Sequence, residues 1–249
     1  MAPNGHSSAA PPAAGEAAGP SSTAATFLRH TWAICRKDLV VEARTGEVLV
    51  TSAFFAILVV VMSSLAYYLG PQTRKQIAAG VIWLATAFAA VLSLARSWHR
   101  EREEHAFEGL IAAPVSGSAI FAGKALALCG FLFAIEAVVI PVTSFFFSID
   151  LLEILPAMLL IALCATPGIA ATGTLFGVMT VRTGARDLIL AIVLFPLLAP
   201  TLLAAVVATR LLLDATPLSE LSGYLQLMLV FDLTFIAGGL GLFASLAEQ

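Results

Sequence analysis

Six long apolar runs, near residues 48–69, 76–95, 119–148, 155–181, 188–213 and 225–246, leave this chain few ways to fold. Each matches or exceeds the roughly 17–25 residues that an α-helix needs to cross a bilayer. Backbone polar groups in hydrocarbon must be paired within the segment, so such runs read as helices packed side by side. The composition agrees, with 59% hydrophobic residues, 12% charged residues and a mean hydropathy of +0.95. The expected fold is therefore all-α: a polytopic membrane protein of six transmembrane helices. Before them, Leu28, Trp32, Cys35 and Leu39 form one helical stripe, with Arg29, Arg36, Lys37 and Arg44 elsewhere on the same helix. This pattern predicts an N-terminal interfacial helix, its Trp at headgroup depth and its cations near anionic lipid. Residues 1–25 are Ala, Pro, Gly and Ser with little to bury, and read as a disordered tail ahead of one membrane domain over 26–249.

Ten of the thirteen Lys and Arg residues fall on one side of these runs. Only Arg74, Lys75 and Arg210 fall on the other. The positive-inside rule places both termini in the cytoplasm, together with the long polar segment between the second and third spans. That segment, Arg96–Lys124, is the one extended polar interruption in the chain. Ala106, Phe107, Leu110 and Ile111 recur at helical spacing, while Glu101, Glu104 and Glu108 line another face. Pro114 disfavours helical geometry at Ala113 and should end the helix, with Ser116, Gly117 and Ser118 as a hinge before the next span. Two readings fit: an acidic amphipathic helix that docks on another protein, or a solvated loop.

Several spans carry helix-breaking residues. Pro141 lies in the third, Pro167 and Gly168 in the fourth with Gly173 and Gly177 four apart, and Pro196 and Pro200 in the fifth. Proline removes a backbone donor and glycine permits close helix approach, so these are hinges of a moving unit or seams of a static bundle. Intramembrane charge is scarce. Glu136 and Asp232 fall within spans, where an ionisable side chain is costly and calls for a partner or a function. Arg210, near the outer end of the fifth span, is the partner that a short connection between the last two spans would bring to Asp232. Glu136 is either a coupling or substrate group, or a carboxyl hydrogen-bonded to a neighbouring helix.

Catalytic signatures are missing from the sequence. Residues 117–125 resemble a phosphate-binding loop, but five residues separate the glycines where four are required. Ala125 also stands where Ser or Thr should bind magnesium. No nucleophile–base pair, metal-binding His pair or disulfide framework appears; Cys35, Cys129 and Cys164 read as small buried residues. The chain is expected to be a non-enzyme with no ATPase activity of its own, and nothing in it points to nucleic acid.

Three motifs together resemble the CcmB family, cytochrome c maturation protein B or haem exporter protein B, within the ABC-2 permeases. They are the loop with Phe107, Glu108, Leu110, Pro114 and Lys124; Thr166-Pro167 followed by Gly173, Gly177, Thr180 and Val181; and the run 188–203 with its paired prolines. His105 departs from the pattern, standing where the family usually has Gly. The resemblance implies an ABC-2-type permease domain over 26–249 and a bacterial inner-membrane location. It makes the cytoplasmic segment a coupling helix, with Glu104, Phe107, Glu108, Leu110, Ile111 and Pro114 contacting a partner ATPase. Implied partners are an ABC ATPase of CcmA type, a haem-handling membrane protein of CcmC type, a small CcmD-type subunit and a periplasmic CcmE-type haem chaperone. Two copies per complex are expected. The implied activity is ATP-dependent haem export or delivery, or release of the haem-loaded chaperone; an ABC-2 permease for a drug, lipid or polysaccharide and a static scaffold are the alternatives. No cofactor is expected on this chain, with ATP and haem held by partners. His6, His30, His99 and His105 all lie in the tail, the interfacial helix or the cytoplasmic loop, away from any outer haem site.

Overall fold

In the computed structural model, residues 20–66, 71–103, 109, 113–183 and 187–248 are described. Seven helices account for them almost entirely: α1 (Pro20–Thr45), α2 (Glu47–Ala66), α3 (Pro71–Glu103), α4 (Gly117–Phe147), α5 (Leu151–Thr183), α6 (Asp187–Leu213) and α7 (Leu218–Glu248). Helices α2 to α7 each contain a segment long and apolar enough to cross a membrane, and no strand occurs among the described residues. The protein is an all-α polytopic membrane protein.

Local chemistry explains where these helices begin and end. Gly46 takes the left-handed conformation (φ +64°) and its N–H bonds to Glu42 O at 2.7 Å, so α1 ends on one glycine and α2 starts at the next residue. Ser116 caps α4, its Oγ accepting from Ala119 N at 3.3 Å. Ser118 Oγ donates to Leu240 O of α7 at 2.8 Å. The expected hinge at Ser116, Gly117 and Ser118 is thus a cap and a first helical turn, because both serines have fixed partners. Helix α3 continues through Glu103, so Arg96, Trp98, His99 and Arg100 are helical and not part of a loop. Its neighbour across the loop, α4, begins at Gly117, which places Lys124 two turns inside a membrane helix.

Helix α5 stands at the centre, packed against α3, α4, α6 and α7, while α1 lies along α4. Missing side chains make these crossings close. A Cβ on Gly177 would collide with the indole of Trp98, and one on Gly173 would press on Leu94 at 3.4 Å. The Gly173–Gly177 face of α5 therefore receives the Leu94–Trp98 ridge of α3. Gly123 on α4 meets Ile34 and Thr31 of α1, and Gly239 on α7 lies under the Phe121 ring of α4. Between α3 and the other helices, Ser93 bonds Ser52 at 3.0 Å and Trp83 Nε1 donates to Thr209 Oγ1 at 2.8 Å.

Gly177→Ala is expected to lower the thermal midpoint of the detergent-solubilised chain, by overpacking worth about 1–3 kcal/mol. Gly223→Ala, where an added Cβ meets nothing within 4 Å, should leave it unchanged or raise it, by up to about 1 kcal/mol of helix propensity. Equal effects from the two substitutions would show that the α3–α5 crossing does not depend on the missing side chain.

Candidate functional site

Of the residues predicted to meet a partner, Glu104, Phe107, Glu108, Leu110 and Ile111 lie outside the described residues; Pro114 is described and exposed. What the structure shows in detail is the platform from which this loop rises, where the end of α3 and the start of α4 meet α1.

The platform is built around a buried ion pair. Lys124 Nζ lies 3.3 Å from Asp38 Oδ2, and their side chains are 5% and 7% exposed. The other Asp38 oxygen is 3.1 Å from the half-exposed Lys37. The Lys124 ammonium also sits over the Trp98 ring, 5.2 Å from its centroid, close enough for cation–π attraction. The cavity beside these groups holds only about 10 Å³, no more than a single water requires. Trp98 in turn presses on Gly177. A continuous line of contact thus runs from α1 through α4 and α3 to α5: Asp38, Lys124, Trp98, Gly177.

One helical turn further along α1, Glu42 is 1% exposed and accepts from Leu49 N of α2 at 2.7 Å. Its second oxygen lies 3.8 Å from Arg100 Nη1, an ion pair without hydrogen-bond geometry. An exposed pair, Arg96 to Glu47 at 2.9 Å, joins α3 to α2 beside it. Burial, reinforced by the nearby Asp38 carboxylate, pushes the Cys35 thiol on this face of α1 above its usual pKa. Cys35 and Cys164 are buried and Cys129 half-buried, all three as free thiols.

A second polar cluster lies deeper, at Thr166-Pro167-Gly168 of α5. Glu136 of α4 is 3% exposed and accepts from Thr166 Oγ1 at 2.7 Å. Asp232 of α7 is 5% exposed and fills the space that a Gly168 Cβ would need. Both intramembrane carboxyls therefore meet the same proline-containing turn of α5, one from α4 and one from α7, and Glu136, the Pro167-Gly168 step and Asp232 form one constellation. Pro141, Pro196 and Pro200 lie elsewhere, the first two exposed, and their helices run through them unbroken.

Arg210 is not part of this constellation, and the predicted contact with Asp232 does not form. Helix α7 begins at Leu218, seven residues before the expected start, so Asp232 lies fourteen residues into it. At 1.5 Å per residue that is about 21 Å, well beyond an arginine in the last turn of α6.

Sequence reasoning also missed Asp38 and Glu42. The apolar stripe of α1 predicts an interfacial helix, and Leu28 and Trp32 are indeed 64% and 62% exposed, on the outside of the bundle. The buried face, Thr31, Ile34, Cys35, Asp38 and Glu42, is rotated roughly a quarter turn from the stripe. A signal was available in two carboxylates four residues apart, facing away from the cations of α1. Among the described residues, no group of three or more His, Cys, Asp or Glu is arranged to hold a metal.

Comparison with known proteins bears on this geometry. The family described as CcmB protein matches residues 29–247. Heme exporter protein B of Rhodobacter capsulatus is 28% identical over 176 residues, covering 69% of this chain and 78% of the relative. The protein of the same name from Pseudomonas aeruginosa is 27% identical over 189 residues, covering 75% and 82%. That from Bradyrhizobium diazoefficiens is 26% identical over 182 residues, covering 72% and 80%.

The buried pair generates a test. Lys124→Ala leaves Asp38 buried with only a half-exposed lysine, and is expected to destabilise the chain by about 3–5 kcal/mol. Lys124→Met combined with Asp38→Leu removes both charges and should recover more than half of that loss. Thermal unfolding in detergent reads both. Additive losses in the double variant would show that the two side chains act independently.

Proposed function

The chain belongs to the CcmB family, and on that premise we propose that it is the membrane subunit of an ABC-type haem exporter serving cytochrome c maturation. The observation that carries the proposal is the family match over residues 29–247, joined by three relatives named heme exporter protein B. ATP is hydrolysed on a separate chain, and this subunit turns that chain's closure into movement within the membrane. The end of the bundle bearing ten of the thirteen cations faces the cytoplasm of a bacterial inner-membrane protein.

The loop between α3 and α4 is the point of input. Phe107, Leu110 and Ile111 form its apolar contact with the ATPase, and Glu104 and Glu108 its acidic edge. The platform beneath it supports this role, because load on the loop arrives at α3 and α4 together. Both are tied there to α1 and α5 through Lys124, Asp38, Trp98 and Gly177. Thr166-Pro167-Gly168 provides a place for α5 to bend, since Pro167 has no N–H to give the carbonyl four residues back. Two copies work with two ATPase chains, beside haem-handling partners of the CcmC, CcmD and CcmE types.

Haem is held by those partners. The Met residues are dispersed over several spans, where Met usually serves as filling. The isolated chain in detergent should show no Soret band after haem addition and desalting, whereas the full complex should show one. A stoichiometric, His-ligated spectrum from the isolated chain would restore direct haem carriage by this subunit.

Phe107→Asp tests the coupling. The variant should remain monodisperse in detergent and lose co-purification with the ATPase chain, with cytochrome c assembly falling to background. Retention of both the partner and cytochrome c assembly would place the contact elsewhere on the chain.

A further inference from the structure

At the end of the bundle opposite the ion pairs, a cavity of about 660 Å³ opens between α3 and α6, with Ser63 of α2 at one edge. Along α3 it runs from Gln76 to Ala87, eleven residues or about 16 Å. Along α6 it runs from Phe195 to Arg210, fifteen residues or about 22 Å, so it spans between half and three quarters of a hydrocarbon core roughly 30 Å thick. Its walls are almost wholly apolar, and Leu84 and Leu203, 46% and 64% exposed, flank an opening towards the lipid. The indole N–H of Trp83 is given to Thr209, which leaves only the apolar ring for the cavity.

The polar groups gather at one end. Arg210, in the last turn of α6, and Gln76, near the start of α3, both line the cavity at its headgroup end. Among the described residues, no hydrogen bond or ion pair engages the Arg210 guanidinium, and the side chain is exposed. An unpaired guanidinium at headgroup depth is a ready partner for a phosphate, which it can bind through two parallel N–H donors. Among the described residues, none of those lining the cavity is His, Met, Cys or Tyr, so the described walls supply none of the usual axial ligands to a haem iron. We propose that this cavity binds one anionic glycerophospholipid of the surrounding leaflet, its phosphate on Arg210 and an acyl chain along the α3–α6 wall. The inference is independent of the ATP-coupled reading above. It concerns what occupies a lateral opening, whichever substrate the complex moves.

Gly80 provides a clean way to close the site. It lines the cavity, and a Cβ built there meets nothing within 4 Å, so a large side chain can fill the space without forcing the helices apart. The full chain is purified in detergent with equal phosphatidylglycerol and phosphatidylcholine, and bound lipid is counted by native mass spectrometry. Wild type should retain one phosphatidylglycerol per chain, and Gly80→Phe should retain none. Arg210→Gln should lose the preference for phosphatidylglycerol by roughly tenfold or more, while Arg210→Lys keeps most of it. The Arg210 arm stands by itself should Gly80→Phe fail to give a monodisperse protein. Equal retention by wild type and Gly80→Phe, or an unchanged preference in Arg210→Gln, would overturn the proposal. Dissociation of a dimer by Gly80→Phe with lipid unchanged would assign the face to a second copy. Displacement of the lipid by equimolar haemin from wild type but not from Arg210→Gln would assign the site to a dicarboxylate tetrapyrrole instead.

Discussion

A lysine two turns inside a membrane helix must be neutralised where it lies, and Lys124 finds its counter-charge on a different helix. Asp38 comes from α1, which has no span of its own, and the contact fixes α1 along the basic end of α4. Attraction between opposite charges strengthens as water is excluded, but so does the cost of removing each charge from water. A buried pair of this kind is therefore weak evidence for net stability. It is stronger evidence for a specified arrangement, because only one position of α1 brings Asp38 to Lys124 and Glu42 to Leu49 N. The Trp98 ring closes the site from α3, and the absent side chain at Gly177 lets Trp98 approach α5. Removing any one of these features loosens the others.

The two polar clusters differ in the kind of order they impose. At the basic end, charges are matched across helices and the space around them is nearly filled. Deeper in the bundle, Glu136 and Asp232 face neutral partners, a threonine hydroxyl and a glycine backbone, at the turn of α5 where Pro167 has removed a donor. Small residues and hydroxyls suit such a place, since they allow close approach and re-form hydrogen bonds over short displacements. A rigid junction beneath the loop and a compliant turn farther in are the elements that a mechanical role requires, and both lie on α5 or on helices that touch it.

Spans and their order were legible because length and hydropathy alone define them; all six appear, with ends displaced by up to seven residues. Displacement mattered most at α7, where the earlier start at Leu218 moved Asp232 away from Arg210. The family resemblance was legible from Phe107, Pro114, Thr166-Pro167 and the paired prolines, since those motifs combine residue type with spacing. Lys124 was visible as a motif position, yet its partner was not, because Asp38 is distant in sequence and lies on the polar side of a helix that reads as interfacial, where a carboxylate is expected in water. Periodicity reports which residues prefer to avoid water. In a bilayer, Leu28 and Trp32 do so by remaining on the outside of the bundle, and the polar face is the one that needs protein. The soluble-protein rule that apolar faces pack inward is thus inverted for α1, for the same reason that intramembrane charges face the bundle interior.

The contrast between the two ends of α3 bears on how movement passes through the bundle. Near the loop, α3 is held on three sides: Arg96 to α2, Arg100 to α1, and Trp98 against α4 and α5. At its other half, it meets α6 through the Phe88–Phe195 ring contact, the packing of Ile82 and Trp83 on Ala204, Ala205 and Ala208, and the hydrogen bond from Trp83 to Thr209, with a cavity of about 660 Å³ opening beside them. If the loop receives the push of a partner ATPase, as proposed, α3 and its ion-paired neighbours would move together, and the α3–α6 cavity is a place where relative motion could be taken up without breaking a charge pair. A lipid chain in that space keeps the opening filled while allowing its width to change, as acyl chains adapt to shape more readily than side chains fixed on two helices. The apolar cavity and the buried ion pairs thus lie at opposite ends of α3, one end fixed by matched charges and the other bordered by space that only apolar groups line closely.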